Sequence, residues 1–125
     1  MGRGNTIVHS YKDLIVWKRA IQLVVAVYEV TEKFPKEEIY GLVSQMRRAA
    51  ISIPSNIAEG RLRGHRREFC QFLLMAFGSG GELETQVEIA KHLSKTMFFD
   101  YTKVQELLTE VMKIPNAIIN KLRIS

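Results

Sequence analysis

Apolar positions recur along most of this chain at steps of three and four, and no stretch alternates for long enough to predict a strand. From Tyr11, the residues Leu14, Trp17, Ile21, Val24, Val25 and Tyr28 line up on one helical face, because a helix turns once every 3.6 residues. Val16, Leu23, Val27 and Val30 mark roughly the opposite face. A helix apolar on two sides is buried on two sides, so one side is expected to meet the core and the other a second subunit. This helix is expected to end near Phe34, because the ring of Pro35 disfavours helical geometry in the residue before it.

Pro35, Lys36, Glu37 and Glu38 predict the start of a second helix, with proline in the first turn and acids near the positive end of the helix dipole. Its apolar stripe is Ile39, Leu42, Val43, Met46, Ala50, Ile53 and Ile57, and its polar stripe Ser44, Arg48, Ser52, Ser55 and Glu59. Pro54 lacks the N–H that would bond the Ala50 carbonyl, which predicts a kink there. Ser52, Ser55 and Asn56 are placed to relieve the freed backbone groups. Gly60 and Gly64 predict the following turn.

A third helix is expected from about Arg66 to Leu93, with Phe69, Phe72, Leu73, Ala76, Gly80, Leu83, Val87 and Ala90 as its core stripe. Leu74 and Phe77 fall outside that stripe and suggest a second packed surface. Met97, Phe98 and Phe99 predict a loop or hydrophobic staple. A fourth helix starts at Asp100 or Thr102, with Thr102 and Gln105 spaced as a capping box. Val104, Leu107, Leu108, Val111, Ile118 and Leu122 face inward, and Pro115 predicts a kink. Long helices joined by short loops predict an all-α, antiparallel up-and-down four-helix bundle over residues 11–125, after a flexible tail over residues 1–10.

Composition changes this picture little. A chain of 125 residues is one domain, long enough to bury roughly two thirds of its unfolded surface. The lone Cys70 cannot form an internal disulfide, and no apolar run reaches the roughly 18 residues of a membrane span. No signal peptide is evident, so a cytoplasmic protein without membrane contact is expected. The opening MGRGNT formally fits a myristoylation signal, but a short leader before a helix needs no such explanation.

Charge changes it more. Between Ser44 and Arg67 lie Arg47, Arg48, Arg61, Arg63, Arg66 and Arg67 against the single acid Glu59, a surplus equal to the formal net charge of the whole chain, +5. Arginine keeps its charge and offers a planar fork of donors suited to phosphate. Arg61, Arg63, Arg66 and Arg67 gather at the hinge between the second and third helices, whereas the adjacent Arg47 and Arg48 point about 100° apart. Two roles are open: binding the backbone of RNA or DNA through counterion release, or a solvated face with helix-to-helix ion pairs such as Arg48 with Glu59. Aromatics interleaved with the basic residues, which single-strand binders use for stacking, are missing from the linear sequence. Backbone or shape recognition is therefore expected rather than base reading.

The remaining motifs carry no chemistry. Gly78-Ser79-Gly80-Gly81 lacks the GxxxxGK[ST] pattern of a phosphate loop, and the helical stripe runs through it; small residues there let the third helix approach a neighbour closely. Glu88 and His92 stand one turn apart, but no second ExxH completes a di-iron bundle pattern. His9 and His65 have no ligand partner at metal spacing, and Cys70 beside the core stripe has no clear base to activate it. No acid/base pair, nucleophile or metal set emerges, so a non-enzymatic protein without cofactor is expected.

The strings DLIVWKRA (Asp13 to Ala20), FPKEEIYGLVSQMRRAA (Phe34 to Ala50), IPSNIAEG (Ile53 to Gly60), EFCQFL from Glu68 and GSGGELETQ from Gly78 occur in an order a generic bundle would not share. In them the chain resembles the small bacterial four-helix-bundle proteins encoded by intervening sequences inside large-subunit ribosomal RNA genes. The resemblance implies a homopentamer with the bundles arranged as a barrel. It also implies kinship with the basic accessory proteins of diversity-generating retroelements, which partner a reverse transcriptase. Arg47, Arg48, Asn56 and Glu59 occupy the polar string of that family, and GSGG departs from its more usual single-glycine form. The expectation is thus a homo-oligomer that binds RNA or another structured nucleic acid through Arg61, Arg63, Arg66 and Arg67, with Arg47 and Arg48 second. The alternative is an interaction scaffold docking a partner such as a reverse transcriptase.

Overall fold

The computed structural model describes residues 10–124, and for Pro115 and residues 122–124 the backbone alone. The expectations at His9, at the MGRGNT leader, along the tail before Ser10 and at the Leu122 side chain lie outside the described residues. Among the described residues there are four α-helices and no strand: α1 Ile15–Thr31, α2 Ser44–Arg63, α3 Arg66–His92 and α4 Thr102–Ile124. Each helix packs on the next along the chain, α4 closes back on α1, and α2 and α3 share the most extensive contact. The result is a helical bundle around one apolar core.

The two-faced pattern of α1 resolves into one core face and one open one. Val16, Ala20, Leu23, Ala26, Val27, Val30 and Thr31 are buried, while Ile21, Val25 and Tyr28 are exposed in the monomer. The helix begins later than its periodicity predicts. Tyr11–Asp13 form a separate 3-10 turn, capped by Ser10, whose Oγ accepts from the Lys12 N–H at 3.1 Å. It also ends earlier, at Thr31, and Phe34 leaves the helix to stack on Phe99 with ring centroids 5.5 Å apart.

The segment after Pro35 departs furthest from expectation. A short 3-10 turn, Lys36–Glu38, leads into a π-helical segment, Ile39–Val43, in which Gly41 leaves helical geometry altogether (φ −109°, ψ −105°). The backbone break therefore lies at Gly41, and α2 proper runs on through Pro54. This irregular segment turns Ile39, predicted on the core stripe, out to 46% exposure. The polar residues near Pro54 also act differently from expectation. The Asn56 amide donates to the Ser52 carbonyl at 2.8 Å and to the Ser52 hydroxyl at 2.9 Å, not to the Ala50 carbonyl that Pro54 leaves without its usual donor.

Gly64 ends α2 in the left-handed conformation (φ 77°), where a residue without Cβ carries no steric penalty. Gly60, predicted as part of the same turn, is instead buried inside α2 and lets α3 approach closely. A Cβ at this position would fall 2.7 Å from the Phe72 Cβ. Along α3, which continues without interruption through Gly78–Gly81, Gly80 does the same against Met112 of α4, and the Ser79 hydroxyl donates to that of Ser52 at 2.8 Å. Gly78 and Gly81 face open space within the monomer.

Between α3 and α4 the Thr96 hydroxyl donates to the Ala90 carbonyl at 2.6 Å, and the Tyr101 hydroxyl to the Thr96 carbonyl at 2.7 Å. Burial pushes the Tyr101 phenol above its ordinary pKa. The Asp100 Oδ1 accepts from the Thr102 N–H at 2.9 Å. Asp100 thus supplies the cap at α4 in place of a Thr102–Gln105 box, and hydrogen bonds from Thr102 hold its carboxyl below the usual carboxylate range. No described helix is long and apolar enough to cross a membrane.

Candidate nucleic-acid interface

The hinge between α2 and α3 is built from three local choices. Gly64 reverses the chain, His65 precedes α3 in extended geometry without a side-chain cap, and Arg66 and Arg67 open the helix. The first N–H groups of a helix have no carbonyl partner within it, and the aligned peptide dipoles make that end electropositive. Arg61 and Arg66 then meet Gly60, Gly64, His65 and Phe69 around a concavity of about 230 Å³. Arg61 and Arg66 each hold an interaction within the chain. Arg67 lies exposed beside them.

Arg63 does not join this group. Its Nε donates to Glu59 Oε2 at 2.9 Å, its Nη1 lies 3.6 Å from Glu68 Oε2, and its guanidinium sits 5.2 Å from the centre of the Phe72 ring. Two carboxylates offset its charge, and Glu68 is the one that the linear arginine-rich window leaves out. The expected Arg48–Glu59 pair is not formed, because both residues lie on α2, roughly 16 Å apart along its axis, and Glu59 accepts instead from Arg63 one turn on. Such half-exposed pairs contribute little stability, but they reduce the field an arginine presents to phosphate.

Arg47 and Arg48 belong elsewhere. Arg47 reaches across to the last turn of α1, where its Nε donates to Thr31 Oγ1 at 2.9 Å, its Nη2 approaches the Tyr28 carbonyl at 3.5 Å, and its guanidinium stands 4.2 Å over the Tyr28 ring. The carbonyls that end a helix attract a cation, which is why an arginine at this position turns inward. Arg48 is exposed and, among the described residues, has no ion-pair or hydrogen-bond partner. Both line a second cleft, of about 650 Å³, with Tyr28, Ile39, Tyr40, Val43, Ser44, Ile51 and Ser52. From Arg47 to Arg61 the rise along α2 is roughly 20 Å, so hinge and cleft are distinct sites. Tyr28 and Tyr40 were not legible as site residues, because the cleft draws them from different segments; His65 and Phe69 lie within the hinge stretch itself, where neither charge nor spacing marks them as lining a concavity.

His92 Nε2 and Glu88 Oε2 meet at 3.1 Å in the open, and no group of three ligating side chains gathers among the described residues. Cys70 is a free, half-buried thiol packed against the core.

An all-helical bundle with arginines gathered at one interhelical hinge defines the class: a small helical-bundle protein with a basic end. More particularly, the chain belongs to the family of 23S rRNA-intervening sequence proteins, whose model matches residues 12–117. It is also 25% identical over 122 residues to the poly(A) polymerase PAPa of Candida albicans, a match covering 92% of this chain but 20% of that polymerase. The chain thus spans about one fifth of the length of that relative.

Proposed function

We propose that the protein is a non-enzymatic, homo-oligomeric RNA-binding bundle that takes nucleic-acid phosphates at the α2–α3 hinge. The observation that carries this reading is the concavity where Arg61 and Arg66 converge with His65 at the uncapped start of α3. Guanidinium groups and the electropositive start of a helix both favour an anion there, and Arg67 extends the basic surface. The family description, tied to 23S rRNA, and the nucleic acid in the name of the Candida albicans relative support the same reading.

In this reading the four helices run up and down in turn. The copies meet through apolar surface that the monomer leaves open, notably Ile21 and Val25 on α1 and Leu74, Met75 and Ile89 on α3. Five copies follow from the family resemblance, and the compartment is the cytoplasm.

The test is a salt series of RNA binding by the wild type and an Arg61/Arg66/Arg67→Ala variant, with molecular mass in solution measured for both. Affinity is expected to fall steeply with salt, and the log–log slope of the variant to be shallower by about one unit per arginine that touches phosphate. Arg63→Ala should change the slope least. An absence of binding at low salt would overturn RNA recognition by the protein alone and leave the hinge for a protein partner such as a reverse transcriptase. RNA cleavage that depends on added divalent metal would overturn the non-enzymatic assignment.

A further inference from the structure

The cleft between the end of α1 and the start of α2 brings together what the linear sequence keeps apart. Tyr28 comes from α1, Tyr40 from the π-helical segment, and Arg47 and Arg48 from the first turns of α2. None of the nine lining residues is acidic. Tyr40 is 96% exposed, held out by the backbone break at Gly41 rather than folded onto the bundle. Irregular helical turns of this kind recur at functional sites because they re-aim one side chain. Arg47 contributes a planar cation whose position is set by Thr31 and the Tyr28 ring.

We infer that this cleft is a nucleobase-stacking site for unpaired RNA, in which Tyr40 and the Arg47–Tyr28 stack receive a base and Arg48 meets the adjoining phosphate. The inference rests on the nucleic-acid reading above and adds the form of RNA recognised. Aromatic rings and guanidinium planes are the surfaces on which proteins stack splayed-out bases, and a duplex keeps its bases out of their reach. The linear sequence argued against base contacts because no aromatic is interleaved with the basic residues. Tertiary packing supplies two.

The experiment uses the full chain with a short single-stranded RNA carrying one 2-aminopurine, beside a duplex of the same length. Binding is expected to quench the 2-aminopurine fluorescence of the single strand. Tyr40→Ala is expected to weaken single-strand binding about tenfold, to lose the quenching and to leave duplex affinity unchanged, whereas Tyr40→Phe retains all three properties. Unchanged single-strand affinity and quenching in Tyr40→Ala would overturn the inference, while a salt slope still sensitive to Arg61, Arg66 and Arg67 would leave the hinge standing. A change in the molecular mass of Tyr40→Ala would overturn it in another way, by assigning the cleft to a contact between copies. If the wild type binds neither RNA, both readings fall together.

Discussion

Gly60 and Gly80 show how much depends on the atom a missing side chain would meet. A Cβ at Gly60 would be driven against the Phe72 Cβ and towards the Phe69 Cα, atoms that cannot move unless α3 moves. A Cβ at Gly80 would meet the far end of Met112, an unbranched thioether that rotates away cheaply. Forcing a methyl into a packed core costs about 2 kcal/mol, while replacing glycine by alanine inside a helix returns up to about 1 kcal/mol. Gly60→Ala is therefore expected to lower the urea midpoint and Gly80→Ala to leave it nearly unchanged. Equal midpoints would mean that the α2–α3 spacing gives way where the packing says it cannot. The arginines obey the same logic: a hydroxyl, a carbonyl and a ring hold Arg47, and two carboxylates and a ring hold Arg63, so residue type alone did not reveal which of the six faces solvent.

Helix boundaries followed local chemistry where one residue dominates and departed from it where neighbours compete. Gly64 ends α2 as expected, because only glycine adopts its positive φ without cost. α2 starts several residues later than the sequence predicts, since Pro35 and two acids make a plausible helix start that the chain uses for a 3-10 turn instead. At α4 the cap shifted from Thr102 to Asp100, and this has a consequence for acid stability. The folded carboxyl of Asp100 titrates below its ordinary value of 3.8. Its contribution is therefore complete above that value and is lost as pH falls through the lower, folded-state pKa. The difference in unfolding midpoint between wild type and Asp100→Ala is expected to be largest near neutrality and to shrink in acid. A difference independent of pH would mean that the cap does not depend on carboxylate charge.

Across the whole molecule, the apolar surface left open on α1 and α3 is the feature the monomer does not explain. Gly78 and Gly81 lie on that side of α3 with open space beyond them. In an isolated bundle each change to alanine should raise stability by about 1 kcal/mol, because glycine is a poor helix former. In an assembly whose α3 helices pack closely, the same methyls would separate the copies. The double variant Gly78→Ala/Gly81→Ala is accordingly expected to lose mass in sedimentation while the helix content of the chain persists. A heavier or unchanged particle with a raised midpoint would exclude this face of α3 from the assembly. The net charge of +5 acts at the same scale, since it draws polyanions to the surface before any specific contact forms.

The sequence by itself determined the helices, the turn at Gly64, the uninterrupted course of α3 through its glycines and the location of the arginine-rich hinge. Each depends on interactions within one or two turns, which a period of 3.6 residues and the chemistry of a single residue express directly. Only the tertiary structure decided which apolar face of α1 enters the core, that Arg63 is held between Glu59 and Glu68, and that Arg47 closes on Tyr28. It alone placed Tyr40 beside two arginines in one cleft. Those outcomes depend on which faces of different helices come into register. That register is set by packing the whole core at once, and no local stretch of the chain carries it.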